Sequence, residues 1–343
     1  MNLRHITSGA LLAAAIACAI PAFTACTSGS GNNKAETTDA NADSPRRNGS
    51  KPGGPQLGKP GGGPAIDKSS DSTLQAMIAS VVPQFRQLSY KDDSTGITMH
   101  YNLYSPKDSE PGKNYPLVLF IADASTPGDN VTLPLTQGYG ALVWATDEWQ
   151  KDHPCYVLVP QFSGVAVNDA YEHTDEVDVV IRMLDSVVAS NNVDTTRLYT
   201  TGQSMGGMIS MYYNVTYPSI FAASIFVDCH WATDTFAELA RHRFVYFIAG
   251  DKGRAYTCLQ PLEKAADNDG VKYAFAEWSA KLPEAEQDKL ANEMFAKDAP
   301  VNIIEFTPGS VLPDDGKGSE HMYSFDYAYK LTAAREWLFR QHR

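Results

Sequence analysis

Uninterrupted apolar runs alternate along this chain with stretches of helical periodicity. Residues 117–121 and 156–159 are apolar at consecutive positions, as strands buried on both faces are. Residues 177–188 repeat apolar side chains at steps of three and four, which is typical of an amphipathic helix. Further strands are predicted at 97–103, 198–201, 220–227, 244–249 and 301–306, and further helices at 208–217 and 327–340. This alternation predicts an α/β fold with a mostly parallel central sheet and helices on both faces.

The pattern G-x-S-x-G lies at the junction of a predicted strand and a predicted helix. Gly202 and Gly206 flank Ser204 with one residue between each glycine and the serine. A strand that turns directly into a helix puts the central residue in a strained conformation, and glycines avoid collisions there. The exposed hydroxyl then lies at the N-terminal end of the helix. We therefore predict that Ser204 is a nucleophile.

A serine nucleophile needs a base and an orienting acid, which follow it along the chain in the order acid, then histidine. His321 lies between the last predicted strand and the last predicted helix, where the base is expected. The other histidines after Ser204 fit less well. His230 precedes the strand that should supply the acid, His242 lies just before a predicted strand, and His342 is one residue from the end of the chain. For the acid, we favour Asp251, which follows the strand 244–249, over its rival Asp228 at the end of 220–227.

Developing negative charge on the substrate requires two backbone N–H donors. Met205, which follows Ser204, is predicted to supply one of them. The second is expected from the loop after residues 117–121, where Asp123 and Ala124 are the candidates.

These segments together resemble the α/β-hydrolase superfamily. Residues 74–343 are most similar to its bacterial branch of feruloyl and acetylxylan esterases, polyhydroxybutyrate-depolymerase-like esterases and predicted peptidases. The resemblance rests on residues 101–106, 115–123, 201–208, 250–251, 255–256, 320–322 and 336–339. It implies a Ser204–Asp251–His321 triad that hydrolyses an ester through an acyl-enzyme and needs no metal or organic cofactor. In the loop after residue 121, Ala122-Asp123 replaces the usual His-Gly, which leaves the second donor open.

The resemblance also implies a substrate class, namely acetyl or feruloyl esters linked to plant polysaccharide. Trp144, Trp231 and Tyr256 are candidates to bind such a substrate, and packing within the fold explains them equally well. A serine peptidase of the same fold is an alternative function. A surface lipoprotein that binds without turnover is another.

The first 70 residues predict export and attachment. Residues 1–25 have the cation Arg4, a short apolar run and small residues, as a signal peptide does. Residues 23–26 resemble a bacterial lipobox, so we expect Cys26 to carry the lipid. Residues 26–70 are predicted to be a disordered tether, because 27–70 hold nine glycines and five prolines with few apolar side chains. The catalytic domain is then predicted at 71–343, outside the cytoplasm and held at the cell envelope, on the outer membrane in a Gram-negative host.

Charge and cysteine content restrict the function further. The net charge of −12 indicates no basic surface for nucleic acid, so the expected membrane contact is the lipid alone. Cys155, Cys229 and Cys258 remain for the catalytic domain, which permits one disulfide at most. Cys229 and Cys258 follow adjacent predicted strands and are the favoured pair, and buried free thiols are an equal alternative.

Overall fold

The computed structural model describes Leu57 and residues 65–107 and 109–343, all within the unit Pro52–Arg343. The predicted signal peptide 1–25, the lipid site Cys26 and most of the predicted tether lie outside the described residues. Among the helices of the described part, none has the length and apolar character required to cross a membrane.

Nine strands of the described residues form one sheet with the order β1-β2-β4-β3-β5-β6-β7-β9-β8. The first two strands pair antiparallel, β2 is also antiparallel to β4, and the remaining pairs are parallel. The strands are β1 (Arg86–Lys91), β2 (Thr98–Tyr104), β3 (Tyr115–Ile121), β4 (Tyr156–Gln161), β5 (Val193–Gln203), β6 (Ala223–Val227), β7 (Phe244–Ile248), β8 (Tyr273–Trp278) and β9 (Val301–Phe306).

Helices connect the strands and cover the sheet. They are α1 (Ser72–Val81), α2 (Leu133–Thr136), α3 (Tyr139–Leu142), α4 (Asp147–Asp152), α5 (Asp175–Ser190), α6 (Met205–Thr216), α7 (Phe236–Leu239), α8 (Arg254–Thr257), α9 (Leu259–Asp269), α10 (Glu284–Phe295), α11 (Glu320–Lys330) and α12 (Thr332–Phe339). Short 3-10 helices lie at Val82–Gln84 and Thr233–Thr235.

Two hydrophobic clusters lie on opposite faces of the sheet, and β3 contributes to both. Val118 and Phe120 pack in the cluster that includes α1, α10, α11 and α12. Their neighbours Leu117 and Leu119 pack in the cluster that includes α5, α6 and α9. Successive side chains of a strand point to opposite faces, so an uninterrupted apolar run satisfies both clusters. The predicted α/β architecture, with a mostly parallel sheet between helices, is confirmed.

The structure differs from the predicted elements at the edges of the sheet and at two boundaries. The edge strands β1 and β8 were not predicted. Strand β1 is polar and lacks the continuous apolar run of a central strand. Strand β8 begins with a short apolar run at 273–276 that the prediction missed. Strand β6 begins at Ala223 rather than residue 220. The predicted helix 327–340 is two helices, since Leu331 between them has an extended backbone.

The end of the predicted tether contacts the folded body. Ile66 packs partly buried against the first hydrophobic cluster. Lys68 Nζ lies 2.6 Å from Asp326 Oδ2 on α11, and both side chains are about 15% exposed. The segment from Ile66 onward is therefore part of the folded body, and the predicted boundary at residue 70 lies too late in the chain.

Candidate active site

A sharp turn between β5 and α6 presents Ser204. Its backbone has a φ of 51° and a ψ of −120°, a conformation that non-glycine residues rarely adopt. A Cβ on Gly202 would lie 2.3 Å from the carbonyl of Gly206, and one on Gly206 would lie 1.9 Å from the carbonyl oxygen of Ile121. The two glycines of the sequence motif are therefore required by backbone contacts, including contact with the end of β3.

His321, at the start of α11, faces the serine. Its Nε2 lies 2.9 Å from Ser204 Oγ, a hydrogen-bond distance, and both side chains are largely shielded from solvent. The structure thus brings together two side chains that are 117 positions apart in the chain. A serine hydroxyl bonded to an imidazole can lose its proton to that imidazole as it attacks an electrophile.

The predicted acid Asp251 is wrong, because Asp228 Oδ2 forms the hydrogen bond with His321 Nδ1. Asp251 is exposed, and its Oδ1 accepts a hydrogen bond from the Gly253 N–H at 2.8 Å. The sheet order gives the reason: β6, which Asp228 directly follows, lies beside β5, whereas β7 lies one strand further from Ser204.

Backbone contacts hold Asp228 in place. Its φ is 40°, its N–H donates to the carbonyl of Phe247, and its Oδ1 accepts from the N–H of Ala249 at 2.8 Å. One carboxylate oxygen is therefore bound to the backbone just after β7, while the other binds the imidazole. This arrangement orients the ring of His321 and selects its tautomer.

The charges around His321 set its proton affinity. Burial alone would lower the pKa of His321, since a charged imidazolium is poorly solvated there. The hydrogen bond and charge of Asp228 act in the opposite direction, as do the charges of Asp123 and Asp251, and the resulting pKa is raised. The carboxylates thus favour the protonated imidazole that forms when Ser204 gives up its proton.

The predicted N–H donors lie beside the turn between β5 and α6 that presents Ser204. Met205 is the first residue of α6, so its N–H has no helical carbonyl partner. The contact of Gly206 with Ile121 brings the loop after β3 next to this N–H. Within the described residues, the N–H groups of Asp123 and Ala124 form no hydrogen bond. The Asp123 carboxylate accepts from Ser125 N and Gln203 Nε2 at 2.7 and 3.0 Å, contacts that the sequence did not indicate.

A cleft of about 240 Å³ opens beside Ser204 and His321, on the side of β6 and β7. Its charged walls include Asp251 and Arg254, and His230 also lines it. Asp169 pairs with Arg254 Nη1 and lies 3.4 Å from His230 Nε2. These contacts connect the loops that hold Asp169 and His230 with the start of α8 beside the cleft. Sequence patterns carry no signal for these contacts, because they join positions that are distant along the chain.

The three aromatic residues that were predicted to contact the substrate lie in different environments. Trp144 is fully buried in the core and donates to the carbonyl of Gly140, so its proposed role in substrate binding is wrong. Trp231 is 4% exposed, and Tyr256 is half-buried with Lys252 over its ring. The exposed ring near the cleft is Tyr171, which has a φ of 64° and makes edge contacts with Trp231 and His230.

The three cysteines of the domain are buried free thiols, so Cys229 and Cys258 form no disulfide. Cys229 Sγ lies 3.9 Å from Met211 Sδ, and burial raises the pKa of this thiol well above its usual value. Cys155 lies on the opposite face of the sheet and hydrogen-bonds with Gln150. Of the two alternatives for Cys229 and Cys258, the structure shows the free thiols.

The chain is similar to several solved structures. No protein-family model matches the chain, and no curated protein matches it. A thermostable esterase is 25% identical, with a TM-score of 0.64 over 77% of this chain and 64% of the other. A structure described as FAE is 15% identical, with a TM-score of 0.52 over 83% of this chain and 97% of the other. A ferulic acid esterase is 12% identical with a TM-score of 0.48, over 73% and 97% of the respective chains.

The sheet order, the turn between β5 and α6 at Ser204, and the similarity to the first two of these structures define an α/β-hydrolase fold. The thermostable esterase and the structure described as FAE, with TM-scores of 0.64 and 0.52, share this fold. This chain spans 64% of the length of the thermostable esterase.

Proposed function

We propose that this chain is a serine esterase that hydrolyses carboxylic esters through an acyl-enzyme on Ser204. The observation that carries the proposal is the hydrogen-bonded series Ser204–His321–Asp228, with 2.9 Å between the serine oxygen and the imidazole. The similarity to the thermostable esterase, at 25% identity and a TM-score of 0.64, supports an ester rather than an amide substrate.

The proposed reaction has two halves. Ser204 Oγ attacks the acyl carbon as its proton passes to His321 Nε2, and the N–H of Met205 with one of Asp123 or Ala124 binds the oxyanion. The ester C–O bond breaks, and the imidazolium returns the proton to the departing alcohol. Water then attacks the acyl-enzyme with the same histidine as base, which releases the carboxylic acid and restores Ser204.

The location and natural substrate belong to the proposal as well. We propose that a lipid on Cys26 holds the enzyme at the cell envelope outside the cytoplasm, and that it acts on acetyl or feruloyl esters of plant polysaccharide. The sequence of residues 1–26 supports the anchor, and the exposed side chains of Asp251 and Arg254 at the cleft support a substrate that extends into solvent.

Hydrolysis of p-nitrophenyl acetate by the full chain tests the reaction. We expect Ser204→Ala and His321→Ala to lower kcat by about 10⁴-fold or more, as removal of either group does in other triads. A fluorophosphonate should label the wild type at Ser204 and leave Ser204→Ala unlabelled. Comparison of an ester with an amide of the same acyl group then separates an esterase from a peptidase.

A surface serine that is remote from the cleft provides the control. Ser80 is exposed on α1, so Ser80→Ala should retain wild-type turnover and labelling. A wild type that neither hydrolyses esters nor reacts with the fluorophosphonate would contradict the proposal. For the anchor, Cys26→Ser should move the protein from the membrane fraction to the soluble fraction, and an unchanged distribution would argue against lipidation.

A further inference from the structure

Asp123 is a buried carboxylate in the loop after β3. It is 3% exposed, and no lysine, arginine or histidine forms an ion pair with it within residues 65–107 and 109–343. Removal of an ionised carboxylate from water is costly unless hydrogen-bond donors replace the lost solvent. The Asp123 carboxylate therefore needs hydrogen-bond donors. The residues that supply these donors are the parts of the structure that the carboxylate links together.

Its donors come from three separate segments of the chain. Ser125 N donates to Oδ1 at 2.7 Å from within the same loop. Gln203 Nε2 donates to Oδ2 at 3.0 Å, and Gln137 Nε2, between α2 and α3, donates to the same oxygen. Gln203 is the last residue of β5 and directly precedes Ser204. The carboxylate thus connects the loop after β3 to the turn that presents the serine.

The backbone of the same loop is free to bind a ligand. Ser125 N is occupied by the carboxylate, whereas the N–H groups of Asp123 and Ala124 form no hydrogen bond among the described residues. An oxyanion donor is effective only if it is held 2.7–3.1 Å from the position of the developing charge. A shift of about 1 Å in this loop, which could follow from the loss of its link to Gln203, can lower turnover by two orders of magnitude.

We propose that the side chain of Asp123 is a positioning residue: it fixes the loop at residues 122–125 to Gln203, so that a backbone N–H of this loop binds the oxyanion. This inference rests on the proposed function. It assigns to Asp123 a role for its carboxylate in addition to the backbone role expected from the sequence.

The charge of Asp123 has a second, measurable effect. Along with Asp228 and Asp251, it favours the protonated form of His321. Other titratable or charged groups near this imidazole are Glu320, which precedes it, and His230 and Arg254, which line the cleft. Removal of the Asp123 charge alone should therefore shift the acidic limb of the pH–rate profile to lower pH. A purely structural role for Asp123 would leave this limb unchanged.

Two substitutions in the full chain separate the hydrogen bonds from the charge. Asp123→Ala removes all three bonds, and we expect kcat to fall between about 10-fold and 10³-fold, up to the effect of losing an oxyanion donor, with little change in KM. Asp123→Asn keeps an acceptor for Ser125 N, so it should retain more turnover and show the shift of the acidic limb. Gln137→Leu removes one donor and should reduce kcat less than Asp123→Ala.

Asp194 is a matched control at the other end of β5. Its carboxylate also accepts three hydrogen bonds, from Thr196 N, Thr196 Oγ1 and Arg197 Nε. Asp194→Ala should change the unfolding temperature and leave kcat and the pH profile unchanged. Circular dichroism melts of all variants identify any loss of turnover that arises from unfolding.

The rate of fluorophosphonate labelling distinguishes failure of this inference from failure of the proposed function. A wild type without labelling and turnover would overturn the proposed function itself. If the wild type is labelled and active, a folded Asp123→Ala variant with unchanged kcat and labelling rate would overturn the positioning role. An unchanged acidic limb in Asp123→Asn would overturn the effect of charge.

Discussion

The two sides of the site around Ser204 are built from different interactions. The oxyanion side, formed by Asp123, Gln137, Gln203 and Met205, lies toward β3 and is held by buried hydrogen bonds between amides and a carboxylate. The cleft side lies toward β6 and β7, and its ion pairs are partly exposed: Arg254 is 46% and its partner Asp169 is 38% exposed. Buried hydrogen bonds fix atoms closely, whereas half-exposed ion pairs contribute little to stability.

This difference suggests a division of tasks, in which the oxyanion side supports the reaction and the cleft side selects the substrate. Stabilisation of an oxyanion requires donors at fixed positions, which the buried side can supply. Binding of a varied acyl or alcohol group requires side chains that solvent and substrate can reach, and these lie on the cleft side. The fold therefore supports a reaction class, while the natural substrate depends on loops such as the one with Tyr171.

The largest expected effect contrasts the two aspartates near His321. Asp228→Asn should lower kcat by about 10⁴-fold, because an amide at this position favours the wrong imidazole tautomer. Asp251→Asn should lower kcat less than tenfold, since Asp251 forms no hydrogen bond with the imidazole. Steady-state kinetics on p-nitrophenyl acetate measure both. Equal losses in the two variants would contradict the assignment of the acid.

The wrong prediction of the triad acid also shows how much of such a site can be predicted from the sequence. The predicted sheet followed from uninterrupted apolar runs, and Ser204 and His321 followed from a local pattern and from chain order. The choice between Asp228 and Asp251 depends on which strand lies beside β5, and both residues follow a strand of similar composition. The contacts of Arg254 with Asp169 and of Asp123 with Gln137 join residues that are distant in sequence, so periodicity and spacing carry no signal for them.

Substitution of one glycine on each side of the site tests whether the oxyanion side is more rigid than the cleft side. A Cβ on Gly206 would meet the backbone oxygen of Ile121 at 1.9 Å, so we expect Gly206→Ala to destabilise the protein by about 3 kcal/mol or more, as overpacking does. A Cβ on Gly253 would meet only the carboxylate of Asp251, at 2.8 Å, and this side chain can move. Gly253→Ala should cost less than about 1 kcal/mol. Urea denaturation measures both values, and a similar cost for the two would remove the contrast.

Substitution of a charged residue on the cleft side should change substrate binding. Arg254→Gln removes the cation that lines the cleft, and we expect KM to change by up to about tenfold with kcat nearly unchanged, as for loss of uniform binding. Its stability should change by less than about 1 kcal/mol because the ion pair is half-exposed. Arg241→Gln, which breaks an exposed ion pair with Asp269, is the control. A large loss of kcat in Arg254→Gln would place Arg254 in the reaction itself.

The smallest expected effect is a shift in pH dependence. His321 must be neutral to accept the proton of Ser204, so kcat/KM should rise with pH through the pKa of His321, which is raised relative to free histidine. Asp123 and Asp251 both raise this pKa, and the effect of Asp123 is the larger of the two. The midpoint of the acidic limb should therefore be highest in the wild type, lower in Asp251→Asn and lowest in Asp123→Asn. The reverse order for the two variants would mean that the solvent-exposed carboxylate acts on the base more strongly than the buried one, and the cleft side would then belong to the catalytic electrostatics.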